Sequence, residues 1–226
     1  MSSVLIHRAE ARRQLREYAA GEITNENLAR GALLLALEDY PELEVDSMLA
    51  RLDDLAERAA RRGSAGEPPI FRLGHLHAEM FDVDEYRGNT GHYYDPRNVY
   101  LNEVIERKLG IPISLSIIFL HAASKLGLAA AGVGLPGHYI VKVQFELNEV
   151  YIDPFHEGAT LTVPEISDLL AQMTGGRGKL SSEHLRAWSG RETLQRVAAN
   201  LQSMWARAGD PRRSDSARER MEILQG

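Results

Sequence analysis

Residues 113–126 carry Leu115, Ile117, Ile118, Phe119, Leu120, Ala122 and Ala123 around every face of a helix, leaving almost no polar side. A helix that is apolar all round must be enclosed, so the rest of the chain has to wrap it. With 226 residues and 44% hydrophobic content, the protein is long enough for one such core, with or without a small helical appendage. After Gly127, which closes the helix, the apolar period changes from helical to alternating. Residues 133–135, 138–145 and 150–153 read as strands, with a hairpin turn near Asn148 and Glu149. A buried helix followed by antiparallel strands defines an α+β fold, helix-rich, with a small antiparallel sheet packed on a central helix.

The remaining segments supply the covering layers. Residues 25–37 and 45–62 place leucines at helical spacing and read as amphipathic helices, with Arg51, Asp53, Asp54, Glu57 and Arg58 on a solvated face. Residues 61–69 combine glycine, serine and proline without periodicity and read as a linker. A helix is expected over 70–81. Gly88, Gly91, Tyr93 and Tyr94 then form an ordered loop. Asp95 and Pro96 read as the start of the next helix, whose apolar face is Leu101, Val104 and Ile105 and whose end is marked by Lys108 and Gly110. Helices resume at 166–173 and 193–208. The glycines at 175, 176 and 178 are a flexible break without the flanking strand and Lys-Ser/Thr pair of a phosphate loop. The sequence thus divides into an N-terminal helical part, 1–85, a core with the central helix and strands, 86–165, and C-terminal helices, 166–226.

Composition excludes several functions. Lys and Arg number 26 against 32 Asp and Glu, a net charge of −6, and no basic stripe interleaved with aromatics runs along the sequence. Nucleic acid is therefore not an expected partner. There is no cysteine, which removes disulfides, thiolate metal sites and a cysteine nucleophile. The first residues turn into a charged helical pattern without an apolar signal core, and no stretch approaches the roughly 18 apolar residues of a membrane span. A cytoplasmic protein without membrane association is expected, and nothing in the pattern sets an oligomeric state.

Chemistry concentrates in residues 93–155. His138 opens one strand and Asp153 closes the next, so both fall at the same end of a hairpin, where Asp153 can hold the imidazole in one tautomer and orientation. The central helix begins at Pro112, and its N-terminus offers unpaired N–H groups and the positive end of the helix dipole to the same place. Ser114, in the first turn, is the candidate hydroxyl nucleophile, although serine there commonly satisfies backbone donors instead. Tyr94, Asp95, Asn98 and Asn102 are expected to support the cleft. His92, His156 and Asp153 have no helical or hairpin spacing of a metal site, and no metal or cofactor is expected.

The order of central helix, strand with histidine and strand with aspartate resembles the transglutaminase-like branch of the papain-like fold. Leu-Asn-Glu-Val at 101–104, Gly-Ile-Pro-Ile-Ser-Leu at 110–115, Gly-Val-Gly-Leu-Pro-Gly-His at 132–138 and Asp-Pro-Phe at 153–155 resemble its SirB-type subgroup. The resemblance implies a triad of cysteine, histidine and aspartate, with His138 and Asp153 in the last two places. In the superfamily the helix starts with Gly-x-Cys, so Pro112 stands where the nucleophile is expected. The tail, with Asn200, Trp205, Gly209 and a helix over 216–224, resembles one tetratricopeptide-type hairpin, which alone makes no solenoid. Two functions follow. One is a transglutaminase-like module with a degenerate site that binds a peptide or protein partner in its old cleft. The other is a hydrolase or acyl transferase in which Ser114 or an activated water replaces the cysteine.

Overall fold

A computed structural model describes residues 3–226. Helices α1 (Ser3–Ala19), α2 (Asn25–Leu37) and α3 (Val45–Arg62) come first, followed by α4 (Pro69–His77). The end of the helix expected over 70–81 is different: over Ala78–Val83 the backbone adopts a wider π-helical form. There Glu79 turns inward, almost fully buried, and pairs with Arg58 and Arg62 of α3.

The loop expected after Tyr86 is ordered, and two short strands missed in the sequence pin it. β1 (Arg87–Gly88) pairs in parallel with β2 (Leu109–Gly110). Asp95 does not start the long helix. Its Oδ1 accepts the Arg97 N–H at 2.9 Å and caps a single 3₁₀ turn, Pro96–Asn98, and the helical path begins again as α5 (Leu101–Arg107). Lys108, with φ of 59°, ends α5, which releases Gly110 into β2.

α6 (Pro112–Lys125) is the central helix. Phe119, Ile118 and Leu115 have no exposed surface, and its neighbours are α2, α3, α4 and the sheet. The antiparallel sheet has the order β3 (Ala130–Leu135), β4 (His138–Gln144), β5 (Glu149–Asp153), β6 (Ala159–Leu161). β6 was not expected: three residues without clear alternation give no strand signal, and the segment is a strand because it pairs with β5. The α+β, helix-rich core with a small antiparallel sheet packed on a buried central helix is thus the observed fold.

α7 (Val163–Met173) starts at a capping box in which Thr162 and Glu165 bond reciprocally. α8 (Gly190–Arg207) and α9 (Pro211–Gln225) form a helical hairpin that packs on α2 and α1 respectively. Arg220 of α9 is 1% exposed, bonds the Leu35 carbonyl and lies 2.8 Å from Asp39 Oδ2, so a buried charge ties the C-terminal hairpin to α2. One apolar core runs from Ala11 to Leu224 through α6. Among the described residues no helix is long and apolar enough to cross a membrane.

Candidate functional site

Two local rules bring the histidine and aspartate together. Leu135 pairs with His138 across a two-residue loop of Pro136 and Gly137, and Gly137 has φ of 75°, the left-handed backbone that favours glycine. That turn sets His138 at the start of β4. At the end of β5, Asp153 accepts the Phe155 N–H on Oδ1 at 3.0 Å, folding Pro154–His156 into a 3₁₀ turn. Its other oxygen, Oδ2, takes His138 Nε2 at 2.8 Å and His156 Nδ1 at 2.7 Å. Asp153 is therefore a turn former with one oxygen and an imidazole anchor with the other.

The electrostatics fix the protons. Burial alone would raise the Asp153 carboxyl, but the hydrogen bonds and charge of His138, and then of His156, outweigh it and hold it below the ordinary carboxylate value. An ionised Asp153 only accepts, so His138 Nε2 and His156 Nδ1 carry protons and donate to it. In neutral His138 the remaining lone pair is on Nδ1, which makes no hydrogen bond among the described residues. His138 is 3% exposed and lines a cavity of about 560 Å³. Nδ1 is therefore the nitrogen that it offers to the cavity.

The start of α6 lines the same cavity, through Ile111, Pro112 and Ile113. Ser114 is not part of that lining. It is 1% exposed, and its hydroxyl donates to the Asn98 carbonyl at 2.6 Å while accepting the Ile111 N–H at 3.1 Å. Gly110 makes this packing possible, since a Cβ there would lie 2.7 Å from Ser114 Oγ. Asn98, fully buried, is the hub of the adjoining loop: its side chain donates to the His92 carbonyl at 2.7 Å and accepts from Asn89 Nδ2 at 3.0 Å. Asp95 caps the neighbouring turn, away from the cavity. Asn102 is nearly buried on α5 with its Oδ1 unpaired and does not line the cavity either. Tyr94 does, half-exposed, with the Arg207 guanidinium 4.2 Å above its ring.

The cavity also collects residues that no motif marks. Arg196 and Asn200 reach it from α8, Met173 from the end of α7, and Tyr93 and Phe155 stand edge to face at 5.9 Å. Only the fold brings α7 and α8 over the hairpin. His92 stays in its loop, exposed, so the metal-type group among the described residues is His138, Asp153 and His156. As they stand the two nitrogens lie at hydrogen-bonding distance from Oδ2. Ligands on a tetrahedral zinc with bonds of ~2.0–2.2 Å would be roughly 3.3–3.5 Å apart. The present arrangement is a hydrogen-bonded triad.

His138, anchored by the buried Asp153, and the N-terminus of the central helix line one cavity. The chain belongs to the transglutaminase-like superfamily, whose family model matches residues 46–199. It is 32% identical to a UPF0162 protein of Xylella fastidiosa over 180 residues, covering 77% of this chain and 63% of that protein. A UPF0162 protein of Pseudomonas aeruginosa is 28% identical over 188 residues, 81% of this chain and 67% of its own length. F-box only protein 21 of Mus musculus is 30% identical over 138 residues, 58% of this chain and 21% of that protein. The sequence thus spans less than two thirds of the length of the Xylella relative. No solved structure matches it.

Proposed function

We propose that this protein is a SirB-type, transglutaminase-like module with a degenerate site, which binds a peptide or protein segment in the cleft rather than cleaving or cross-linking it. The observation that carries the reading is the helix N-terminus: Pro112, without a nucleophile, lines the same cavity as His138, and the hydroxyl of that first helical turn, Ser114, is buried and bonded to backbone. The hydroxyl has no lone-pair path to a substrate in the cavity. Aromatic side chains, Tyr93, Tyr94 and Phe155, supply flat apolar surface of the kind that holds an extended peptide. The C-terminal hairpin, tetratricopeptide-like in our reading, serves mainly to brace the core.

The intact His138–Asp153 pair favours one second reading, a hydrolase in which Nδ1 takes a proton from water. One experiment separates the two. The protein is treated with a fluorophosphonate probe and, separately, with a p-nitrophenyl ester. Binding predicts no labelling and no ester turnover above that of the His138→Ala variant. Labelling lost in Ser114→Ala, or turnover lost in His138→Ala, would overturn it.

A further inference from the structure

We infer that the ligand of this cleft presents a carboxylate, held between Arg196 of α8 and His138 at the N-terminus of α6. The inference deepens the peptide-binding reading and rests on it. The first observation is charge selection. The protein has a net charge of −6, yet no Asp or Glu lines the cavity, whereas His138, His156 and Arg196 do. Asp153 lies beneath them, already bonded to both imidazoles.

The second observation is that Arg196 and the Nδ1 of His138 lack partners. Arg196 forms no ion pair among the described residues, and its one hydrogen bond, to the Leu135 carbonyl, is a marginal 3.5 Å. Arg191 of the same helix also lacks a carboxylate but bonds the Leu224 and Ala19 carbonyls at 2.8 and 2.6 Å, so a half-buried guanidinium beside a cavity with only a marginal bond is one that a ligand anion would complete. His138 is nine-tenths buried and more, with Nδ1 unpartnered and turned to the same space. The third is the end of α6: Pro112 has no N–H, and the Ile113 N–H finds no backbone acceptor among the described residues, so the positive end of the helix opens on the cavity.

The features that favour an anion meet no carboxylate of the described residues in the cavity, so a ligand would supply the charge. A carboxylate entering the cleft accepts from the Arg196 guanidinium and, with a proton taken up on Nδ1, from the His138 imidazolium. The aromatic walls and the volume of about 560 Å³ suit a carboxylate carried on a few residues of peptide better than a bare inorganic anion. Two sources present that group, the C-terminus of a polypeptide and an Asp or Glu residue within one.

The test uses the intact protein and histidine ring NMR signals. Three probes are titrated: acetyl-Ala-Ala-Leu with a free carboxylate, the same peptide as C-terminal amide, and acetyl-Ala-Glu-Ala amide. Inorganic phosphate is a fourth. We expect the acid to shift the His138 signals and to bind about tenfold more tightly than the amide, as the loss of one charge-assisted hydrogen bond implies. Arg196→Gln should erase that difference. The third probe tells an internal Glu carboxylate from a C-terminal one. Equal binding of acid and Leu amide, with no preference for the Glu peptide, overturns the carboxylate inference and leaves peptide binding standing. Phosphate binding more tightly than any peptide also overturns it. Failure of every probe to bind overturns both.

Discussion

Two buried imidazoles of this protein bond a carboxylate at 2.8 Å, His138 to Asp153 and His121 to Asp53, and they face opposite ways. At the first pair the carboxylate is sealed, 2% exposed, and the imidazole looks into a cavity. At the second the carboxylate is 38% exposed and shared with Lys125, while the Nδ1 of His121 is buried and unpaired. The chemistry of the pair is identical; the order of burial decides its use. A buried carboxylate directs charge outward through the imidazole to a ligand. An exposed one merely closes the surface over a core histidine.

The largest effect expected from this difference is on stability. Asp153→Ala would leave two imidazoles and the Phe155 N–H without their acceptor, and removing one partner of a buried pair costs about 3–5 kcal/mol. Asp53→Ala should cost no more than about 1 kcal/mol, because water replaces a partly exposed, screened carboxylate. Urea denaturation of both variants checks this, and equal losses would break the distinction.

A smaller effect concerns pH. Burial, the dominant influence, pushes the His121 imidazole below its ordinary value, only partly opposed by Asp53. The unfolded protein then takes up the proton first, so the contribution of His121 is complete above about pH 6.5 and is lost as pH falls below it. Asp153 and Asp53, both held low, contribute stability that is complete above about pH 4 and fades only as pH falls further, through their folded values. Replacing His121 by Gln should therefore flatten the stability profile near pH 6 while leaving the acid limb below pH 4. A steeper profile near pH 6 in the variant would contradict the burial argument.

Periodicity carried most of the fold. The bounds of α2 and α3 follow from leucine spacing and α6 from its all-round apolar surface. What escaped was set by tertiary partners. β1, β2 and β6 are each two or three residues whose only reason to be strands is the neighbour, and the π-helical turn at Ala78–Val83 follows no local pattern. The site divides in the same manner. His138 and Asp153 are legible because a hairpin puts both at one end, whereas Arg196 is one arginine on a charged helix until α8 is folded over the cleft. His121 sits on the same helix as the site, unmarked, and its pairing with Asp53 is visible only in the structure.

The central claim is that His138 and the α6 N-terminus still form an anion-stabilising pocket where a nucleophile would stand. Its most direct test is the rate of iodoacetamide alkylation against pH for Pro112→Cys, alone and combined with His138→Ala. The account predicts a thiolate that persists well below the ordinary cysteine value of ~8.5, moving back toward it when His138 is removed. A thiol that titrates near ~8.5 in both proteins would mean that Pro112 does not face His138, and the assignment of the cleft would be wrong.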